Sequence, residues 1–296
     1  MSAKAAFMSK NLVVRFAGEG GQGVVGGSEI LAAAAAAVGY HVLTFSTFPS
    51  QIKGGPAWGQ ARISTDEILS SGDELDVLVA LNQYAYDHNV EELSPKGVVV
   101  YNSEEFELSD DRAIGLPADQ MARDSGNPRA ANMVVIGAVA QLAGFPLKYL
   151  EEFVTIRFTR GRPGDQQIIE GNIAALHLGA EAAATTGLSL EGLDDPVPSP
   201  DERILIKGFE AAALGAIAAG LDSFIGYPIS PATTMLTYME ANLHGADKFV
   251  GQSSSEIESI AALVGAGFSG KKVMTSTAGP GLSLMGEGLG LAWMAE

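Results

Sequence analysis

The 296-residue sequence contains no cysteine. This chain can therefore offer no thiolate to an iron–sulfur cluster, no disulfide and no thiol nucleophile. If electrons pass through the protein, their carriers belong to another polypeptide. Positive charge is scarce, and the formal net charge is -17. Such a surface repels phosphate backbones, and no basic patch with interleaved aromatics offsets it, which argues against nucleic acid as a partner. No uncharged apolar stretch reaches the ~18 residues of a membrane helix. Residues 1–10 lack a long apolar segment ahead of a small-residue cleavage site. The expectation is a cytoplasmic protein with no membrane partner. His41, His88, His177 and His244 are far apart. They fall in no metal-ligand spacing, none has a local nucleophile, and all are read as structural or surface residues.

What is abundant is apolar and small. Hydrophobic residues make up 47% of the chain and glycine occurs 36 times, enough for a real core with tight turns. The length suits two domains. Strand patterns at residues 11–17, 41–45, 76–81 and 97–101 alternate with helical patterns at 29–38, 132–143 and 166–184. That alternation predicts a mainly parallel sheet covered on both faces. EGLDDPVPSP, residues 191–200, reads as a linker, because its prolines and acids suit neither helix nor central strand. A second alternation follows, with helices at 208–219, 233–241 and 255–268, strands at 223–225, 248–250 and 272–275, and a helix from Pro280. Ile257, Ile260, Ala261, Val264 and Phe268 form one core-facing stripe by their spacing. Leu282, Met285, Leu289 and Trp293 form another, running to the last residue with no cap. The second domain is accordingly expected to be incomplete. The division is residues 1–187, a linker at 188–203, and 204–296.

Five stretches carry possible chemistry. Gly18-Glu19-Gly20-Gly21-Gln22-Gly23 fits G-x-G-x-x-G between a strand and a helix. A dinucleotide fold also wants an acid about 20 residues on, at the end of the second strand, and residues 43–47 hold none. A tight turn with close helix packing is favoured, with another phosphate-bearing group left open. Residues 48–56, FPSQIKGGP, follow the second strand, where Lys53 could meet an anion or the segment could be a rigid interface loop. In Tyr227-Pro228-Ile229-Ser230-Pro231, Ser230 could cap the next helix or hydrogen-bond a substrate carboxylate. Ser253 with Glu256, and Ser255 with Glu258, both fit the S-x-x-E capping box, the favoured reading for both acids. Near the sheet edge, Glu256 could instead face a heteroaromatic nitrogen. Gly281-Leu282-Ser283-Leu284-Met285 fails G-x-S-x-G at its last place, so it is no hydrolase elbow.

Together these stretches resemble one family. GEGGQGVVGGSEILAAAAAAVGYHV with FPSQIKGGP is similar to the γ domain of 2-oxoacid:ferredoxin oxidoreductases. YPISPATT, then SEIESIAALVGAGFSGKKVMTSTAGPGLSLMGEGLGLAWMAE, resembles the start of their α domain. The γ-then-α order is similar to the fused α subunits of 2-oxoglutarate:ferredoxin oxidoreductases. The resemblance implies an α/β fold with a Rossmann-like γ domain followed by a partial thiamine-diphosphate pyrimidine-binding domain. It further implies thiamine diphosphate shared with a β subunit, with Mg²⁺ and a [4Fe–4S] cluster on the β side. Coenzyme A is the implied acyl acceptor, ferredoxin the electron acceptor, and a dimer of heterodimers the assembly. Glu256 matches the carboxylate that activates the aminopyrimidine, Tyr227 and Pro228 belong to the cofactor-binding motif, and Ser230 replaces the family's substrate-contacting threonine. Lys53 is the candidate in this chain for a distal substrate carboxylate. The family's QRxGPSTG segment, whose arginine looks like the partner of the substrate carboxylate, does not occur here. The competing reading is a nucleotide-binding regulatory module. Pyruvate- or branched-chain-specific chemistry is the competing reading within the family.

Overall fold

The first apolar run forms strand β1, Asn11–Glu19, in a computed structural model that describes residues 11–47, 55–196 and 203–295. Leu12 to Gly18 of β1 are all buried, as expected of a strand covered on both faces. Two compact units divide between Arg203 and Ile204.

The first unit is built on a six-stranded sheet ordered β2-β3-β1-β4-β5-β6. The further strands are β2 (His41–Thr47), β3 (Pro56–Ser64), β4 (Leu75–Ala80), β5 (Leu93–Asn102) and β6 (Ala113–Leu116). β1, β4, β5 and β6 run parallel, but β3 lies antiparallel between β1 and β2. The sheet is therefore mainly parallel, as the alternation predicts, with β3 as one antiparallel strand that it did not anticipate. β3 escapes a sequence reading because it opens with Pro56 and carries Gly59, both poor strand formers. Proline is tolerated at the first place of a strand. Gly59 is needed because helix α1 (Val24–Ala37) packs so close that a Cβ there would stand 2.9 Å from Val25 Cα. Residues 48–56 thus join two antiparallel strands. Of these, 48–54, including Lys53, lie outside the described residues.

Helices α1, α4 (Ala131–Leu142), α5 (Leu147–Phe158) and α6 (Asp165–Thr185) contribute to the large core, which includes Phe16, Leu31, Ile63, Ile136 and Leu176. A smaller cluster, from Val13 to Ala85, is supplied by β1, β4 and α2 (Gln83–Asp87). Helix α3 (Ala118–Asp124) follows β6. Arg15, on β1, is buried yet fully engaged. Its Nη1 and Nη2 donate to Glu92 Oε1 and Oε2, each at 2.7 Å, and its Nε donates to Gln60 at 3.0 Å. The guanidinium also stacks over Trp58 at 4.3 Å. The start of the expected linker is part of this unit. Leu193 is buried, Tyr40 Oη donates to the Asp194 carbonyl at 3.0 Å, and Leu190 N donates to the Leu142 carbonyl at 2.9 Å. Residues 197–202 lie outside the described residues.

The second unit holds a three-stranded parallel sheet ordered β8-β7-β9. It consists of β7 (Ser223–Gly226), β8 (Phe249–Gln252) and β9 (Val273–Met274), with α7 (Gly208–Ala218), α8 (Thr233–Asn242), α9 (Glu256–Phe268), α10 (Gly279–Leu284) and α11 (Gly286–Ala295). Its core includes Ala213, Phe224, Leu236 and Met239. The stripe expected to bury α9 does not do so. Ile260 is buried, but Ile257 is 58% and Phe268 82% exposed. Three short strands present too narrow a surface for a stripe spanning three turns, so α9 is buried chiefly through its first turns, at Glu256, Ser259 and Ile260. The stripe near the end behaves alike: Met285 is buried, while Leu282, Leu289 and Trp293 are exposed. Among the described residues no helix is long and apolar enough to cross a membrane.

Candidate functional site

In the second unit the chain leaves β7 for β8 on one side, then crosses to β9 on the other. A reversal of this kind opens a crevice beyond the carboxyl ends of the strands, where α/β sheets bind ligands. Three segments meet that crevice: 227–232 after β7, 253–256 after β8 and 275–278 after β9. Ser276 Oγ donates to the Ala232 carbonyl at 3.4 Å, linking the first segment to the third. Ser253 N donates to the Gly226 carbonyl at 3.0 Å, tying the second to β7.

The two acids of the second segment separate. Ser255 is the N-cap of α9, and its Oγ accepts from Glu258 N at 3.1 Å. Glu258 reaches back, and its Oε2 accepts from Ser254 N at 2.6 Å and Ser254 Oγ at 2.5 Å. Those bonds hold the Glu258 carboxyl below its ordinary range, the Ser254 hydroxyl contributing most. Glu256 takes no part in the cap, so the capping reading holds for Glu258 and fails for Glu256. Ser253 instead pairs its hydroxyl with Ser259 and the Ser255 carbonyl.

Glu256 is only 6% exposed, and its surroundings explain how a carboxylate fits there. A Cβ on Gly281 would stand 2.7 Å from Glu256 Cγ and 2.8 Å from its Oε1, and closer still to Thr277 Oγ1. The missing methyl group is thus the space that the two side chains share. Thr277 Oγ1 is buried and, like Thr275 Oγ1, has no hydrogen-bond partner among the described residues. The sequence places Thr277 and Gly281 at the crossing from the strand at 272–275 to the helix from Pro280 but gives neither a role. The one available signal was a glycine after Gly279-Pro280, inside a helix that has little other reason to carry it.

Ser230 does not cap α8. The N-cap there is Ala232, with no side-chain bond. The Ser230 residue is exposed, and its hydroxyl has no hydrogen bond to a described residue. Tyr227 and Pro228 are half-buried in the same segment. A cavity of about 580 Å³ runs beside β9, lined by Thr275 and Thr277 together with apolar side chains that include Ile260, Leu263, Met274, Leu282 and Leu289. It holds no ionisable group, so the chemistry is better sought beside it at Glu256, which meets Thr277 at Gly281.

In the first unit three backbone donors of the glycine-rich turn are already engaged. Glu19 N donates to Gln22 Oε1 at 2.7 Å, Gly20 N to the Gly55 carbonyl at 3.0 Å and Gln22 N to the Glu19 carbonyl at 3.1 Å. Gly23, at φ 79°, caps α1, and a Cβ there would collide with the Asn132 amide. This is the tight turn with close packing. The histidines remain apart. His88 stacks on Tyr84 at 3.7 Å, His177 lies 2.9 Å from Glu151, His41 is contacted by Arg203, and His244 bonds the Ala241 carbonyl. Among the described residues no group of three or more His, Asp or Glu could hold a metal ion.

Residues 13–182 match the pyruvate ferredoxin/flavodoxin oxidoreductase family, and residues 214–296 match its thiamine-diphosphate-binding domain. The chain belongs to the pyruvate ferredoxin/flavodoxin oxidoreductase family. A relative in that family, the 2-oxoglutarate oxidoreductase subunit KorA of Mycobacterium tuberculosis, is 32% identical over 97% of this chain and 49% of its own length. The 2-oxoglutarate:ferredoxin oxidoreductase of Magnetococcus marinus, solved with 2-oxoglutarate, coenzyme A and succinyl-CoA bound, superposes with a TM-score of 0.82. It is 35% identical, over 94% of this chain and 49% of that one. The γ subunit of a keto/oxoacid ferredoxin oxidoreductase from Geobacter sulfurreducens superposes at 0.52. It is 25% identical and matches 60% of this chain and 99% of its own. The chain spans about half the length of the larger relatives it matches. The oxidoreductase fold is thus a γ-type unit followed by a thiamine-diphosphate-binding one, and the buried Glu256, the gap at Gly281 and the unpartnered Thr277 hydroxyl suit a polar heteroaromatic ring.

Proposed function

We propose that this chain is the γ–α portion of a thiamine-diphosphate-dependent 2-oxoacid:ferredoxin oxidoreductase acting on 2-oxoglutarate. The reading rests on Glu256, a buried carboxylate released from helix capping at a topological switch point, in a domain of the thiamine-diphosphate-binding type. Thiamine diphosphate supplies the nucleophile and electron sink for decarboxylation when bound. Glu256 hydrogen-bonds a ring nitrogen of the aminopyrimidine and shares its proton there. Tyr227 and Pro228 shape the same pocket, and Ser230 offers its free hydroxyl to the substrate's 1-carboxylate or 2-oxo oxygen. A β subunit brings Mg²⁺, the diphosphate site and the [4Fe–4S] cluster that this cysteine-free chain cannot ligate. Coenzyme A takes the acyl group, ferredoxin the electrons, and the complex is a cytoplasmic dimer of heterodimers. Lys53 is this chain's candidate for the distal carboxylate, whose unpaired burial would be costly.

Glu256→Gln in the assembled enzyme tests the reading. A positioned acid–base group contributes ~10²–10⁴-fold, and turnover should fall by about that factor with the fold intact. Near-normal turnover would refute the role. Ser230→Ala should lower kcat/KM roughly ten- to hundredfold, since a hydrogen bond to a charged group contributes ~1.5–3 kcal/mol. Ser230→Thr should be nearly silent. Rapid turnover of pyruvate or a branched-chain 2-oxoacid over 2-oxoglutarate would change the substrate and keep the class. The alternative of a nucleotide-binding module draws less support from the turn, where the Glu19, Gly20 and Gln22 amides are already engaged.

A further inference from the structure

A buried hydroxyl without a partner carries a desolvation cost that the fold does not offset. Thr277 Oγ1 is such a group among the described residues. It is not remote from the chemistry. It and Glu256 Oε1 crowd the same point, the position of the Cβ that Gly281 lacks, with the carboxylate oxygen 2.8 Å from it. Glu256 itself is buried and outside the helix cap. A neighbouring pair of one carboxylate and one hydroxyl, both shielded from water, is a donor–acceptor edge suited to a flat heteroaromatic ring.

On the reading of Glu256 given above, we infer that Thr277 is a second ligand of the aminopyrimidine ring, its hydroxyl bonding a ring or amino nitrogen beside the one held by Glu256, and that Gly281 is the gap that lets both side chains reach it. Thr275 shares the lack of a partner but lies nearer β9, and the inference does not use it. Gly281 serves by absence. A methyl group there would meet the Thr277 hydroxyl and the Glu256 side chain together, and one of them would have to leave its place. Hydrogen bonding to Thr277 is formed only when the ring is bound. The residue therefore weakens the empty protein slightly and strengthens the loaded one.

That opposition of signs provides the test, made on the complex of this chain with its β subunit, stripped of cofactor. Thiamine diphosphate with Mg²⁺ and, separately, thiazole diphosphate, which lacks the pyrimidine, are titrated calorimetrically, and the melting of the empty complex is recorded. Thr277→Val should bind thiamine diphosphate roughly three- to tenfold more weakly, the share of one net hydrogen bond. It should bind thiazole diphosphate as the parent does and melt no earlier when empty, since valine replaces a buried hydroxyl that had no partner. Thr277→Ser should restore the parent affinity, and Gly281→Ala should weaken thiamine diphosphate alone. Unchanged thiamine diphosphate affinity in Thr277→Val overturns the inference and leaves the role of Glu256 standing. An earlier melt of the empty variant, with both ligands weakened alike, overturns it in favour of a packing role. A parent complex that binds no thiamine diphosphate overturns both the inference and the reading beneath it.

Discussion

Glu256 and Glu258 stand two residues apart at the head of one helix, and burial assigns them different work. Glu258 closes the turn with Ser254 and Ser255, while Glu256 is tucked against Gly281. Ser255→Ala should therefore cost about 1 kcal/mol of stability, the usual value of an N-cap, measured by denaturant titration. Glu256→Gln should leave stability near the parent's. A reversed outcome would return Glu256 to the cap. Two other carboxylates contribute to the pH response of the first unit with opposite signs. Glu92 is held below its ordinary range, first by its hydrogen bonds from Arg15. Its contribution is present above the unfolded carboxylate pKa and fades as pH falls through the lower folded one. Asp76 is displaced upward by burial, against the hydrogen bond it accepts from Val13 N at 2.8 Å. Its sign is opposite: its contribution is full in acid and is lost as pH rises through the folded pKa. Asp76→Asn keeps an acceptor for Val13 and removes the charge. It should be at least as stable as the parent at pH 7, and its advantage should shrink as pH falls through the raised folded pKa and be gone below about 4. An Asn variant that is less stable at pH 7 would show that the charge itself is needed.

At the scale of elements, the close approach of α4 and α6 decides how much substitution the first unit tolerates. A Cβ on Gly137 or Gly179 would penetrate the Leu176 or Val134 carbonyl respectively. The neighbours here are backbone, which cannot swing aside as a side chain can. Gly179→Ala should lose ~1–3 kcal/mol or more by overpacking, although alanine favours helix on a free surface. A stabilised variant in thermal melts would mean that the helices separate freely. This contact also marks the limit of what was legible. The alanine- and glycine-rich run announced α6 within a residue at each end, but no periodicity announced which glycine touches what. Helix α5 and strand β6 were passed over, the latter because four residues carry almost no pattern. β3 was missed because its glycine serves α1 and not strand propensity. The stripe on α9 had the right period, but only Ile260 of it is buried, since a helix buries only as much of its stripe as the sheet beneath is wide. The crevice residues fared better where they sit in one contiguous motif, as Glu256 and Ser230 do. Thr277 and Gly281 follow Glu256 by more than one element, and only the crossing from β8 to β9 brings them to it.

Over the whole molecule the two units differ in self-sufficiency. The first has six strands, a large cluster on one face and a second cluster besides. Its counterpart in Geobacter sulfurreducens is a separate γ subunit matched over 99% of its length. The second has three short strands, and six side chains form its buried cluster. It leaves Ile257, Phe268, Leu291, Trp293 and Met294 largely exposed. Hydrophobic burial scales with the apolar area removed from water, and a small sheet with so much of its apolar surface outside removes little. A polypeptide ending at Arg203 should therefore fold alone in one cooperative transition, whereas residues 204–296 expressed alone should melt earlier and more broadly. In hydrogen exchange on the intact chain, amides of β1, β4 and β5 should outlast those of β7 and β8, because local opening costs least where the fewest buried contacts are broken. Equal protection in the two sheets would mean that the second unit draws its stability from something other than its own core.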